Sequence, residues 1–431
     1  MRQIAVIGAG ITGITTAYAL NEKGYDVTVI DRQRYAAMET SFANGGQLSA
    51  SNAEVWNSWA TVLKGIKWML TPDAPLLMNP KPSWHKYSWM AEFLANIPNY
   101  TANTVETTRL AIQARRYMFD IAAREGIDFN HETRGILHIY RDKAAQDSAR
   151  AVSTLYAQGG LERREVTPAE IRAIEPTLQG SFYGGFYTPS DSTGDIHKFT
   201  FGLAEVCRAK GVRFINEASV DRVRHTGAGA GGTGVEISLT LAPAREDGTP
   251  THETLAFDAA VVCAGVGSRA LAAQFGDRVN VYPVKGYSIT VMLEDEQSQK
   301  AAPWVSLLDD KTKIVTSRLG KDRFRVAGTA EFNGENRDIR ADRIRPLTDW
   351  VRKLFPGVST ERAVPWAGLR PMMPDLMPRV AAGAKPGVFY NTGHGHLGWT
   401  LSCATAEIIA AKVEAALPID APAPMLRMAA E

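Results

Sequence analysis

The sequence predicts an α/β Rossmann-like domain assembled from distant segments, with an α+β domain inserted into it. Three observations carry this. Residues 4–31 read as strand, glycine-rich turn, helix and strand; helix–strand alternation returns near the C-terminal end; and the stretch between is rich in strands. At 431 residues, with 45% hydrophobic and 22% charged, the chain has material for a large core, and its length suits two domains or two interleaved halves.

Taken in order, 4–7 is a short buried strand, 11–23 a helix and 26–30 a second strand. A long helix is expected over 109–125, a strand over 135–140 and a helix over 143–158. Thr167 before Pro168 marks a helix start. A helix over 199–210 leads into a strand at 212–215, and 235–241 with 254–256 reads as a hairpin beside the glycine-rich stretch 227–234. A buried strand is expected over 259–263, a second sheet from 282–293 and 313–327, and a last helix over 398–416. The expected division is 1–50, 190–280 and 365–416 for the nucleotide domain, 51–189 and 281–364 for the substrate domain, and 417–431 as a mobile tail.

Lys and Arg number 48 against 46 Asp and Glu, so no excess positive charge exists to neutralise phosphates, which argues against nucleic acid as a partner. Cys207, Cys263 and Cys403 have no metal-like spacing and fit a reducing compartment, so a cytoplasmic protein is expected. The first 20 residues superficially suggest a secretory signal, but three glycines at dinucleotide-loop spacing fit strand, loop and helix instead. No run reaches the ~18–20 apolar residues of a membrane span.

Gly8-Ala9-Gly10-Ile11-Thr12-Gly13 is a G-x-G-x-x-G between a strand and a helix. Gly8 permits the tight turn, Gly10 lets backbone approach a pyrophosphate and Gly13 lets helix and strand pack closely. The helix start offers N–H groups and partial positive charge to the phosphates. Asp31, ending the second strand, suits the ribose hydroxyls and disfavours a 2′-phosphate, which points to FAD or NAD rather than NADP.

Five further segments narrow the choice: ETSFANGGQ at 39–47, TGD at 193–195, PVKGYS at 283–288, GLRPMMPD at 368–375 and NTGHGHLGWT at 391–400. In this order and spacing they resemble the D-amino-acid oxidase family, and most of all its bacterial quinone-linked D-amino-acid dehydrogenases. The resemblance spans about residues 4–410. It implies an FAD-binding Rossmann-like domain with an inserted substrate domain. The cofactor contacts it implies are Gly8, Gly10, Gly13, Asp31 and Arg32 at the adenosine end. Thr40, Ser41, Asn44, Gly45, Gly46 and Gln47 follow in the loop toward the flavin, with Val220, Ala264 and Gly265 beneath the nucleotide. Gly393, His394, Gly395, Leu397, Gly398, Trp399 and Thr400 stand against the ring. The FAD is expected to be noncovalent, though Cys403 and the late histidines leave attachment open.

The implied reaction is oxidative deamination of a small D-amino acid or cyclic imino acid, by hydride transfer from Cα to flavin, with electrons passed to a quinone or other acceptor. Such a site needs an anchor for the substrate carboxylate. Arg370 is the candidate, because a guanidinium grips two oxygens as a fork. Tyr287 is a candidate hydroxyl, His138 and His396 are candidate substrate-facing histidines, and Asn52 and Glu54 follow the flavin loop where some relatives carry an aromatic residue. Two readings compete: a glycine or sarcosine-type oxidase using oxygen directly, and a flavin-binding subunit without catalysis.

Residues 56–90 hold Trp56, Trp59, Trp68, Trp84 and Trp89. Val55, Trp59, Val62, Ile66 and Met69 recur at helical spacing, and Lys64, Lys67, Lys81 and Lys86 stand against Asp73 alone. Two functions fit the segment: a surface that meets an anionic membrane near a quinone acceptor, or a cap over the substrate.

Overall fold

The strand Gln3–Ile7 is apolar along its length and buried from Ile4 onward, so it takes the centre of a sheet rather than an edge. The structure, a computed structural model, describes residues 1–69, 75–243 and 248–419. Among these, a six-stranded sheet runs in the order Arg379–Ala382, Val388–Thr392, Ala259–Val262, Gln3–Ile7, Asp26–Ile30, Arg213–Ile215. All neighbours pair parallel except Arg379–Ala382 on its edge. One face packs on the helices Ile11–Glu22, Ile196–Ala209 and Gly398–Ala416. The other packs on a three-stranded sheet of Ala218–His225, Val235–Leu241 and Thr251–Phe257. The hairpin expected from two segments is therefore three strands. Ala218–His225 was hidden because its burial is irregular and a bulge at Val220/Arg222 breaks its alternation.

A second sheet of nine strands runs Ala363–Met372, Tyr282–Met292, Arg323–Phe332, Ile314–Arg318, Ser306–Asp309, Ile136–Tyr140, Gly184–Thr188, Arg164–Val166, with Leu76–Met78 beside Arg323–Phe332. Its outer face packs Tyr287, Ile289, Val291 and Leu307 against Leu347, Trp350, Val351 and Leu354 of the helix Ala341–Leu354. Its other face turns toward the flavin loop: Ser288 Oγ donates to the Ala43 carbonyl at 2.7 Å and Ser317 Oγ to that of Gly45 at 2.6 Å. Because Ala363–Met372 pairs antiparallel with Tyr282–Met292, a boundary at 365 falls inside a strand of the second sheet.

The helix start expected at Thr167 is present, whereas the helix expected over 199–210 begins three residues earlier, at Ile196. Thr167 and Glu170 form a reciprocal capping box with Pro168 at the helix start. Asp195 of the TGD segment caps Ile196–Ala209, accepting from the backbone N–H groups of His197 and Lys198, and pairs with Arg323 at 2.7 Å. The helix expected over 109–125 begins earlier, at Tyr100. Cys207, Cys263 and Cys403 are buried free thiols, each pushed up to about 12 by desolvation.

Residues 56–90 divide. Val55 is buried ahead of the helix Trp59–Met69, not on its face. On that helix Trp59, Leu63 and Ile66 are exposed, while Met69 lies where its side chain is not described. Trp89 is buried, donating from Nε1 to the Met372 carbonyl at 2.9 Å. Lys86 is also buried; its Nζ donates to the carbonyls of Asn79 and Lys81, so it adds no surface charge. Asp73 and residues 420–431 lie outside the described residues.

Candidate active site

A cavity of about 1180 Å³ runs from the first glycine loop, between the two sheets, to the helix Trp59–Met69. That exceeds the ~300–1,000 Å³ usual for one small ligand, leaving room for a dinucleotide and a substrate together.

At its nucleotide end, a Cβ on Gly8 (φ 110°) would lie 2.6 Å from the Cys263 carbonyl oxygen, and one on Gly13 would strike the Gly8 carbonyl. Gly10 is different: a Cβ there would meet only Ser41 Oγ, at 3.5 Å. Gly10 precedes the helix Ile11–Glu22 without a side-chain cap; Ser41 Oγ takes the Ile11 N–H, and the N–H groups that follow it in the first turn are left to a ligand in the cavity. Asp31 accepts from Ala9 N at 2.6 Å and Gln33 N at 2.7 Å, one on each oxygen. Two-fold acceptance leaves lone pairs on both oxygens for ribose hydroxyls. Desolvation raises its carboxyl, opposed by those two N–H donors. Arg32 is exposed and pairs with Glu39, while Val220, Ala264 and Gly265 line the same end. Their chemistry fits an ADP moiety.

The loop 39–47 crosses to the middle of the cavity. Ser41 Oγ accepts from Ile11 N at 2.9 Å, Thr40 Oγ1 donates to the Leu369 carbonyl at 2.9 Å, and Asn44 Oδ1 accepts from Gly46 N at 2.9 Å. Gln47 Nε2 donates to Ser306 Oγ at 2.8 Å, and Thr400 Oγ1 lies 3.4 Å from the Gln47 carbonyl. Gly45 lines this stretch against Val315. Opposite stands the turn Gly393 to Gly398, opening the helix Gly398–Ala416, which again has no side-chain cap. Gly393, Gly395, Leu397 and Gly398 line the cavity, and His394 Nε2 bonds Thr405 Oγ1 at 2.9 Å, its ring held neutral to about 3 by burial. Trp399 borders the cavity, but its ring packs in the core against Phe199, with Nε1 unpartnered. Cys403 lies in that core too.

The substrate end rests on two facing glycines. Gly286 and Gly368 are opposite each other on neighbouring strands. A Cβ on Gly286 would lie 2.5 Å from the Arg370 guanidinium, and one on Gly368 would strike the Trp366 ring. The absent side chains thus make a floor on which the guanidinium and the indole lie. Arg370 has no hydrogen bond or ion pair with any described residue, and burial lowers it to about 10. An unpaired, half-buried guanidinium facing a cavity is a site for an anion.

His396 stacks on Trp56 at 4.6 Å, and its Nε2 lies 3.3 Å from the Asn52 carbonyl, to which it donates. Burial first, then the Arg370 charge, lowers it to about 4, so it stands neutral. His138 is buried, with Nε2 3.0 Å from Ser51 Oγ, and desolvation holds it well below the usual histidine range. Both histidines line the cavity.

Tyr287 does not present its hydroxyl there. Strand alternation turns Gly286 and Ser288 toward the cavity and Tyr287 away from it, its ring packed in the outer core and its hydroxyl 3.4 Å from the Asp338 carbonyl.

Tyr100, Tyr140, Tyr156 and Arg163 also line the cavity and were not anticipated. Tyr140 was within reach, since the alternation that places His138 places Tyr140 on the same face; the others come from helices and a loop with no local signal. Buried Asp191 holds the turn that carries Ser51, accepting from Ala50 N at 3.1 Å and Ser51 N at 3.0 Å and pairing with Arg115 at 2.8 Å.

Comparison with known proteins agrees with this architecture. The family model described as FAD dependent oxidoreductase (DAO) matches residues 3–412. D-amino acid dehydrogenase 3 of Mesorhizobium japonicum is 63% identical over 98% of this chain and 99% of its own. D-amino acid dehydrogenase of Paramagnetospirillum magneticum is 41% identical over 95% and 94%. Among solved structures, glycine oxidase from Bacillus cereus covers 96% of this chain and 95% of its own at 20% identity, with a TM-score of 0.71. L-proline dehydrogenase from P. horikoshii covers 96% and 93% at 14% identity, also with a TM-score of 0.71. The structures share the fold, the relatives share the sequence, and the chain belongs to the DAO family of FAD-dependent oxidoreductases.

Proposed function

We propose that this protein is an FAD-dependent D-amino-acid dehydrogenase, oxidising the Cα–N bond of a small D-amino acid or cyclic imino acid and passing the electrons to a quinone or other acceptor. One observation carries the reading: a half-buried guanidinium, Arg370, without a carboxylate partner in a cavity that also holds a dinucleotide loop. Relatives at 63% and 41% identity bearing the name D-amino acid dehydrogenase support it. FAD, when bound, supplies the hydride acceptor.

The chain's own groups do the rest. Arg370 holds the substrate carboxylate as a fork and fixes Cα. Trp56, Trp366 and the neutral His396 wall the site and keep water from the reacting carbon. The uncapped start of Gly398–Ala416 would offer backbone N–H groups and partial positive charge to the electron density that a bound flavin gains. Gly8, Gly10, Gly13 and Asp31 hold the adenosine half.

The acceptor is the membrane quinone in this reading. Exposed Trp59, Leu63, Ile66, Trp84 and Tyr87, interspersed with exposed Lys64, Lys67 and Lys81, support contact with an anionic bilayer surface. No helix among the described residues is long and apolar enough to cross a membrane.

Anaerobic bleaching of the bound flavin by paired D- and L-amino acids tests the reaction. D-enantiomers are expected to bleach; bleaching by L-enantiomers alone, or by none, sinks the proposal. Turnover that is as fast with oxygen as with an artificial acceptor would instead make it an oxidase of the glycine or sarcosine type.

A further inference from the structure

We propose that the lobe of the cavity around Glu54 and Tyr100 receives the substrate's side chain and selects substrates that carry a neutral hydrogen-bond donor, a hydroxyl, at that end. This rests on the amino-acid oxidation proposed above and names its substrate class.

The wall of the cavity leads from the carboxylate anchor to this lobe. Arg370 acts electrostatically on His396, His396 bonds the Asn52 carbonyl and stacks on Trp56, and Glu54 lies between those two in the chain. The charges felt most at Glu54 are those of Lys313, Arg163 and Asp310, with Arg370 absent from them.

Tyr100 donates its hydroxyl hydrogen to Glu54 Oε1 at 2.6 Å. Glu54 Oε2 accepts no hydrogen bond from any described residue, and Glu54 borders the cavity. A carboxylate only accepts, so this oxygen calls for a donor. Desolvation is already strong enough to raise the Glu54 carboxyl despite the Tyr100 hydrogen bond. Nearby donors are engaged: Ser51 with His138, and Arg163 with Ser153 Oγ and the Ala149 carbonyl.

Charge selects among donors. Asp310 pairs with Lys313 at 2.5 Å, and Arg163 stands over the rings of Tyr156 and Phe186 as a cation close to Glu54. Glu54 and Asp310 thus balance Arg163 and Lys313. A cationic side chain adds an uncompensated charge, an acidic one meets Glu54, and an apolar one leaves Oε2 desolvated without a partner. A hydroxyl satisfies the oxygen at no charge.

The test compares matched substrates, D-serine with D-alanine and 4-hydroxy-D-proline with D-proline. In at least one pair the hydroxylated member is expected to have a kcat/KM at least ~10-fold higher, the size of one hydrogen bond to a charged group. Glu54→Gln, near-isosteric and checked for flavin content and melting temperature, should shrink that ratio several-fold. Dissociation constants of 3-hydroxypropanoate and propanoate, which carry no amine to oxidise, should show the same preference and its loss in E54Q. If both wild-type ratios are near one while substrates still bleach the flavin, the assignment falls and the reaction stands. The assignment also falls if the ratios survive in E54Q. If no amino acid bleaches the flavin, the reaction itself falls and takes this subsite with it.

Discussion

At the nucleotide end of the cavity, Gly8, Gly10, Gly13 and Asp31 lie within one strand–turn–helix–strand unit, and backbone atoms do most of the shaping. At the substrate end, Arg370, His396, His138, Glu54 and Tyr100 come from five separate segments, and side chains do it. A backbone-built site depends on small residues at fixed spacing and fails when one gains an atom. A side-chain site depends on which faces of distant elements meet, and it can lose one group while keeping its cofactor.

The largest effect that sharpens this contrast is expected at Gly13. Its Cβ would overlap the Gly8 carbonyl, a backbone atom that cannot swing away, so Gly13→Ala should yield protein largely without flavin or without soluble fold. Flavin-to-protein absorbance ratio measures it; a yellow, fully loaded variant would show that the turn yields more than its geometry allows.

Next comes the second sheet's own interior. Lys285 is fully buried and pairs with Glu331 at 3.0 Å. Glu331→Gln leaves that ammonium without a counter-charge, at a cost of about 3 kcal/mol. This is the low end for a broken buried pair, because Asn336 Oδ1 and the Asp338 carbonyl still accept from Lys285. Thermal unfolding should show a clear drop in Tm while the nucleotide end keeps its loop geometry.

Arg370→Ala should lower kcat/KM at least ~10-fold with flavin retained, since charge-assisted hydrogen bonds contribute roughly 1.5–3 kcal/mol. Arg370→Lys should stay impaired because the planar fork is lost. Gly286→Ala, which pushes the guanidinium off its floor, should raise KM in the same direction by less. Wild-type kinetics in all three would remove Arg370 from the site.

The smallest effect is at the surface. Wild-type protein should sediment with anionic vesicles at low salt and release as salt rises, and Lys64→Glu with Lys67→Glu should weaken it. Protein wholly in the supernatant at low salt would leave the exposed Trp59 and Leu63 without a membrane role.

The motif at 8–13 and the segments at 39–47, 368–375 and 391–400 made the fold and much of the cavity wall legible, because glycine spacing reports backbone geometry directly. Tyr287 was misplaced for a reason also present in the chain: it alternates with Gly286, and only one can face the cavity. The face expected from Val55 to Met69 lost Val55 because that residue precedes the helix and packs inward.

The sequence by itself determined what short-range rules decide: the βαβ opening, the cap at Thr167, and the last helix Gly398–Ala416. Tertiary structure alone decided which partners distant groups have. It left Arg370 unpaired while Arg323 found Asp195, buried Lys86 among carbonyls, and brought Glu54 to Tyr100. The physical reason is range. Turn and helix propensities act within a few residues, whereas the charge state and reach of a buried side chain depend on burial and on neighbours contributed from anywhere in the chain.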